Sequence, residues 1–268
     1  MKISRRDFLS TVTGSAATLL AFPFTASGRP SPQSERQLDC VLLDLKSHCA
    51  LRESLHGYQA ALAGEHNYLQ DAISDSRCRY GIVIVPGLGP IEPTLAQTLS
   101  ELLRAGTHLL LESGAGFLGA AEFAAHQRML HRYFDLRVEP PVALWSRNPT
   151  DDAFFSHRSG RHPKKELGSH ESIPYVNYVW PLETKVRDFS RVIPVSAKVE
   201  DVVGRVGALP VALKRRVDKG ILIFLGSPLG PALRAGDPEA GSWLRLVKAL
   251  CLGAEKTRAL NAVKLSKV

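Results

Sequence analysis

The chain has 268 residues, of which 44% are hydrophobic and 22% charged, and its formal net charge is +8 at pH 7. This composition supports a full hydrophobic core and excludes an intrinsically disordered chain. The basic residues concentrate in residues 158–165 and 214–219, without the interleaved aromatic residues typical of nucleic-acid-binding proteins. We therefore expect solvated basic loops and no nucleic-acid partner.

The N-terminus has the form of a twin-arginine export signal. Arg5 and Arg6 are followed by Phe8, Leu9 and an apolar stretch over residues 11–24. That stretch is shorter than the roughly 20 residues that span a bilayer. We predict a signal peptide over residues 1–28, a linker over residues 29–37, and a periplasmic or otherwise exported protein that is not integral to the membrane after cleavage. A chance arginine pair, or an uncleaved signal retained as an anchor, stays open.

The chain contains four cysteines, Cys40, Cys49, Cys78 and Cys251. They include no CxxC pair, and their spacing matches no zinc site. An exported protein can form disulfides, but no pairing is indicated by the sequence. We predict no metal site and no cofactor.

Apolar runs and helical patterns alternate along the first half of the chain. Strands are predicted at residues 38–45, 80–85 and 107–111. Helices are predicted at residues 51–73, from residue 92 to a stop at Gly106, and from the turn at residues 112–116 to about residue 133. Residues 145–171 are polar and predict a long surface loop. Further strands are predicted at residues 186–195, 199–206, 209–213 and 219–227, and a helix around residues 243–251 closes the domain, which spans residues 38–253. A loose basic tail over residues 254–268 follows.

Apolar strands that lack alternation and are joined by helices predict a parallel sheet covered on both faces. Right-handed crossovers then give a doubly wound α/β fold. We therefore predict a flavodoxin-like, mostly parallel sheet with a few additional antiparallel strands.

Five segments carry a resemblance to a known superfamily. They are IVIVPG at residues 82–87, RAG at residues 104–106, LLLESG at residues 109–114, LPVAL at residues 209–213 and DKGILIFLG at residues 218–226. The pattern resembles the class I glutamine amidotransferase-like superfamily, in particular its non-catalytic branch. The superfamily's catalytic cysteine is missing from the turn at Glu112, Ser113 and Gly114, and no His-x-Glu pair follows the last strand at Ser227. The resemblance therefore implies an amidotransferase-like fold without glutaminase activity.

The predicted fold brings several strand ends to one edge of the sheet, where open α/β sheets bind ligands. We expect a shallow ligand pocket there. Its predicted ligand-binding residues are Ser47, His48, Gly87, Gly89, Glu112, Ser113, Gly114 and Ser227.

Three of these side chains are candidates for catalysis: Ser113 as a nucleophile, with Glu112 and His48 as acid or base. Each also has a structural interpretation. Ser113 can cap the following helix, Glu112 can bond to the turn, and His48 can be a surface loop residue.

Two other clusters favour structural interpretations. His157, His162 and His170 lie near acidic residues in the long loop, but solvated histidines are favoured over a metal site. The aromatic residues of residues 175–181 suit sugar or peptide contact, although sealing the sheet edge is the favoured role. No phosphate-binding glycine motif is present, so nucleotide binding is not predicted.

The leading functional prediction is an exported, catalytically silent amidotransferase-like domain. It would bind a small molecule or an envelope protein as a binding or accessory protein of the cell envelope. The alternative is a periplasmic hydrolase that uses Ser113, Glu112 and His48. A chaperone that escorts a redox enzyme through the twin-arginine route is a third, weaker alternative.

Overall fold

The computed structural model describes residues 37–63, 67–68, 73, 79–114, 116–143, 175–187 and 191–265, with side chains up to Gly253 in the last helix. The predicted signal peptide, the linker before residue 37, the loop at residues 145–171 with its histidines, and Cys78 lie outside the described residues. The described residues all belong to one compact unit.

The described strands are β1 (Gln37–Leu42), β2 (Asn67–Tyr68), β3 (Arg79–Val85), β4 (His108–Glu112), β5 (Arg137–Val138), β6 (Val142–Ala143), β7 (Tyr175–Tyr178), β8 (Thr184–Arg187), β9 (Arg191–Val192), β10 (Val195–Ser196), β11 (Val202–Val206), β12 (Leu209–Val217) and β13 (Gly220–Leu225). The helices are α1 (Arg52–Ala61), α2 (Pro93–Ala105), α3 (Ala120–Phe134), α4 (Gly230–Arg234) and α5 (Pro238–Leu265). Single 3₁₀ turns lie at Lys46–His48 and Val199–Asp201.

The main sheet is mixed. Its strand order is β2-β1-β3-β4-β13-β12-β11-β7-β8, and small two-stranded sheets pair β10 with β5 and β6 with β9. The neighbours from β2 to β13 pair in parallel, and those from β13 to β8 pair antiparallel. The predicted doubly wound, mostly parallel sheet is therefore wrong, because the antiparallel part is as extensive as the parallel part.

Short connections explain this difference. β12 and β13 are separated only by Asp218 and Lys219, and Asp218 adopts a left-handed φ of 49°. So tight a connection forces an antiparallel pair, since a parallel crossover needs a dozen or more residues. The predicted strand ends at Leu213, but β12 continues through the basic residues to Val217.

The parallel strands are buried on both faces. Val83, Val85, Leu110, Ile223 and Leu225 have no exposed surface, and β4 pairs in parallel with both β3 and β13. Successive side chains point to opposite faces. One set packs on α1, α4 and α5, and the other packs on α2 and α3.

Other boundaries also differ from the sequence analysis. The predicted helix at residues 51–73 ends as α1 at Ala61, and Asn67–Tyr68 forms the edge strand β2. The predicted strand at residues 186–195 consists of short separate pieces, namely the end of β8, then β9 and the start of β10. The predicted tail from residue 254 continues α5 as far as Leu265.

The described cysteines Cys40, Cys49 and Cys251 form no disulfide. In the described part of the chain, no helix combines the length and apolar character needed to cross a membrane.

Candidate functional site

The loops after β1, β3 and β4 are joined by backbone hydrogen bonds. Ala50 N–H donates to the Gly87 carbonyl at 2.7 Å, and Gly89 N–H donates to the His48 carbonyl at 3.3 Å. Gly87 has a φ of 57°, a left-handed conformation that favours glycine. Because the turns bond to each other, their positions at the carboxyl edge are fixed.

A crevice of about 410 Å³ opens between these loops. β1 pairs with β2 on one side and β3 on the other, so the crevice lies where the strand order reverses. Ligands of open α/β sheets bind at such points. Its lining residues are His48, Cys49, Ala50, Pro90, Gly116, Leu118 and Glu122.

Gly116 brings the loop after β4 against the loop after β1. Its φ is 125°, and a Cβ atom at this position would lie 1.7 Å from the Ala50 carbonyl oxygen. Only glycine allows this approach, so the shape of the crevice requires a glycine at position 116.

Glu112 lies outside the crevice. It is fully buried, and its Oε2 accepts hydrogen bonds from Leu229 N–H at 2.9 Å and Gly230 N–H at 3.1 Å. Burial raises the pKa of the Glu112 carboxyl, while the hydroxyls of Ser54 and Tyr58 and the two amides act in the opposite direction. This carboxyl therefore joins the end of β4 to the start of α4.

Ser113 points to the opposite face of the sheet. Its Oγ lies 2.8 Å from Nε2 of His126 on α3 and 3.4 Å from the Leu88 carbonyl oxygen. Both Ser113 and His126 have no exposed surface. Consecutive strand residues alternate between faces, so the Glu112 and Ser113 side chains diverge, and neither lines the crevice with His48.

The imidazole of His126 is held in its neutral form. Burial lowers the pKa of His126 to about 4, and a backbone interaction with Gly89 opposes part of this change. Within the described part of the chain, Nδ1 of His126 is buried without a hydrogen-bond partner. The Ser113–His126 contact therefore has two forms, one in which Nε2 accepts from the Ser113 hydroxyl and one in which Nε2–H donates to Oγ.

Among the described residues, His48 alone of the predicted ligand-binding set lines the crevice. Gly87 and Gly89 form the hydrogen-bonded turns beside it. Gly114 packs on Pro228, where a Cβ atom would lie 2.8 Å from the ring. Ser227 is buried, and Ser47 belongs to the 3₁₀ turn after β1.

Three residues of this region, Cys49, Glu122 and His126, are not among the predicted site residues. Cys49 is half-buried in the crevice, and burial is the main cause that raises the pKa of its thiol. Glu122 and His126 lie four residues apart, which places them on one face of α3. Two polar residues at that spacing in an apolar helical pattern were the signal that could have identified them.

In the described part of the chain, no group of three or more His, Cys, Asp or Glu side chains could hold a metal ion.

No family model and no curated protein matches this chain. Solved structures similar to it include a β-galactosidase from Bacillus circulans sp. alkalophilus, with 12% identity, a TM-score of 0.48, and coverage of 78% of this chain and 31% of that one. A β-galactosidase from the psychrophilic Marinomonas ef1 has 15% identity, a TM-score of 0.49, and coverage of 81% and 29%. A cytoplasmic protein from Salmonella typhimurium LT2 has 12% identity, a TM-score of 0.48, and coverage of 76% and 86%.

The chain spans about a third of the length of the β-galactosidases it matches, at 31% and 29%. At these identities and TM-scores, the similarity assigns no activity to this chain.

The predicted membership in the class I glutamine amidotransferase-like superfamily is wrong. No family model supports it, and the similar solved structures include β-galactosidases and a mannosidase. The segments that carried the resemblance form buried strands and tight turns, and other folds share such apolar and glycine patterns.

The function built on that resemblance is wrong with it. The predicted binding or accessory protein of the cell envelope rested on an amidotransferase-like domain without its triad. The alternative hydrolase required Glu112, Ser113 and His48 in one constellation, but Glu112 contacts α4 on the opposite face from Ser113.

Proposed function

We propose that this chain acts on carbohydrate and that the crevice between the ends of β1, β3 and β4 binds a sugar unit. The observation that carries the proposal is the set of side chains around this crevice, above all Glu122 and His48. Its volume of about 410 Å³ lies within the roughly 300–1,000 Å³ of small-molecule sites.

The polarity of the crevice favours a neutral polyhydroxylated ligand. A carboxylate accepts hydrogen bonds from hydroxyl groups, and an imidazole N–H donates to hydroxyl oxygens. Pro90 and Leu118 add apolar surface that suits the C–H face of a sugar ring. No lysine or arginine is among the described lining residues, so a phosphorylated ligand would face Glu122 without a compensating cation.

The crevice supplies one carboxylate from the described part of the chain. Most glycoside hydrolases place two carboxyl groups across the scissile bond. Glu112 cannot be the second, because it is enclosed between β4 and α4. We therefore propose sugar recognition at the crevice, without assigning it cleavage of a glycosidic bond.

Isothermal titration of the full chain with methyl galactosides and methyl mannosides tests the proposal. Galactose and mannose are chosen as probes because the similar solved structures include β-galactosidases and a mannosidase. Glu122→Gln should weaken binding about tenfold, because a charge-assisted hydrogen bond becomes a neutral one. Glu101→Gln is the matched control, since Glu101 lies on α2 and bonds to Gln97. Absence of binding by every sugar, or equal affinities of wild type and Glu122→Gln, would contradict the proposal.

A further inference from the structure

We propose that Ser113 and His126 form a nucleophile–base pair that removes an acyl group from a sugar held in the neighbouring crevice. The identity of the substrate rests on the proposed function, whereas the reactivity of the pair rests on its own geometry.

The two reacting atoms already lie in contact. Oγ of Ser113 is 2.8 Å from Nε2 of His126, within the distance at which a base takes a hydroxyl proton. Ser113 is the first residue after β4, and its N–H donates to the Leu225 carbonyl at 2.8 Å. The backbone of the nucleophile is therefore fixed by the sheet.

The base is in the required protonation state at neutral pH. Burial lowers the pKa of His126 to about 4, so the ring is uncharged above that pH. In the tautomer that carries its proton on Nδ1, Nε2 presents its lone pair to the Ser113 hydroxyl, and this is the tautomer that the reaction uses.

The pair adjoins the crevice through residues 116–118. Gly116 and Leu118 line the crevice, and the ring of Phe117 between them lies 4.9 Å from the imidazole of His126. Glu122, which also lines the crevice, precedes His126 by one helical turn. A sugar in the crevice would thus place its substituents beside the Phe117 segment, which consists of residues 116–119.

Substrate reaches Oγ only when the Phe117 segment moves outward, because Ser113 and His126 have no exposed surface. The segment is held on its inner side by Phe117, which is 7% exposed and packs on Phe123 and His126, whereas its outer side is open. Leu118 is 95% exposed, and its N–H donates to Oε2 of Glu122 at 2.6 Å. Opening therefore requires the Phe117 ring to leave its place beside His126, and loops that move in this way gate many active sites.

The reaction balances with water as the second substrate. Oγ attacks the acyl carbonyl carbon while its proton passes to Nε2, and the sugar oxygen then leaves with that proton. Water next attacks the acyl-serine, giving a proton to Nε2 that returns to Oγ as the carboxylic acid departs. Nothing is oxidised or reduced.

A fluorophosphonate probe, with the labelled residue mapped by mass spectrometry, tests the pair directly. We expect labelling of Ser113 in the wild-type chain, and labelling about tenfold faster in Phe117→Ala, because that change removes the ring over His126. Ser113→Ala should abolish labelling. Ser100→Ala is the control, since Ser100 is a buried serine whose hydroxyl donates to the Tyr133 carbonyl. Melting curves confirm that each variant is folded.

Two labelling results would overturn the proposal. One is a folded wild type and a folded Phe117→Ala that both remain unlabelled at Ser113, which would make the pair a buried structural hydrogen bond. The other is labelling that disappears in Cys49→Ala but persists in Ser113→Ala, which would make the crevice thiol the nucleophile.

Hydrolysis of p-nitrophenyl acetate and of acetylated galactose adds a second readout. Activity should rise with pH through about 4, as His126 loses its proton, and should then level off. A midpoint near 6.5, the ordinary value for histidine, would exclude His126 as the base. Labelled Ser113 without sugar binding would refute the crevice proposal and the sugar substrate, but not the reactivity of the pair. Sugar binding without labelling would refute this inference alone.

Discussion

Glu112 shows how a single buried carboxyl stabilises the molecule. It accepts the N–H groups of Leu229 and Gly230, and its environment contains the hydroxyls of Ser54 and Tyr58. Neither hydroxyl, nor Oε1 of Glu112, meets the geometry of a direct hydrogen bond. This incomplete pairing is consistent with burial as the largest influence on the pKa of Glu112.

The pH dependence of stability should reveal this burial. Because the pKa of Glu112 is raised in the folded state, its protonated form contributes stability at low pH that is lost as pH rises through the folded pKa. From about pH 5 upwards, wild type should therefore lose stability relative to Glu112→Gln, whose side chain does not titrate. Urea unfolding at several pH values measures the difference. A constant difference across this range would contradict the prediction.

Sequence reasoning found part of the residue-scale arrangement. Glu112 and Ser113 stand out because they end an apolar strand beside a turn. Their partners could not be inferred, since Leu229 and His126 lie 117 and 13 residues away. Those contacts arise only when α4 and α3 pack on opposite faces of the sheet.

At the scale of elements, the packing of α1 on α4 depends on two glycines. A Cβ atom on Gly57 would lie 1.8 Å from the Gly230 carbonyl oxygen, and one on Gly230 would lie 2.2 Å from the Ser54 Cα atom. The two helices therefore approach with backbone against backbone.

Gly57→Ala should accordingly lower the free energy of unfolding by more than about 2 kcal/mol, because the added methyl overlaps backbone rather than a flexible side chain. Gly241→Ala is a matched control on α5, where the nearest atom to an added Cβ is 3.8 Å away. That change should be neutral or stabilising by up to about 1 kcal/mol, from helix propensity. Equal effects of the two substitutions in chemical denaturation would refute this account of the packing.

The elements differ in how well the sequence predicts them. The buried strands β3, β4 and β13 appear as uninterrupted apolar runs between glycine turns, and α2 appears as an amphipathic helix ending at Gly106. The prediction for β12 covers only its first half, because the second half carries Lys214, Arg215 and Arg216. A run of long charged side chains is typical of a surface loop, yet these three residues pair with β13.

On the scale of the whole molecule, the mixed sheet positions the crevice. The parallel part brings the ends of β1, β3 and β4 to one edge, and the antiparallel part extends the sheet beyond β13 by hairpins. The sequence does not show where the strands of each hairpin begin and end. The short length of the connecting loops could therefore not be recognised. The sequence therefore predicted a few antiparallel strands, but not that antiparallel pairing extends from β13 to β8.

The export prediction also belongs to the whole molecule and concerns residues outside the described ranges. Replacing Arg5 and Arg6 with lysine should leave the chain uncleaved in the cytoplasm, because the twin-arginine route requires the arginine pair. Cell fractionation and N-terminal mapping measure this. Normal processing and periplasmic recovery of the double variant would contradict the prediction.

The central claim is that the crevice binds sugar, and chemical-shift mapping of the ¹⁵N-labelled chain with methyl galactoside tests it most directly. We expect saturable shifts confined to the amides of the crevice, which are those of His48, Cys49, Ala50, Gly116, Leu118 and Glu122. The amides of Asn177 and Lys185, which line a separate cavity between β7, β8 and α5, should remain unchanged. Shifts at that second cavity instead, or no shifts at saturating sugar, would contradict the account.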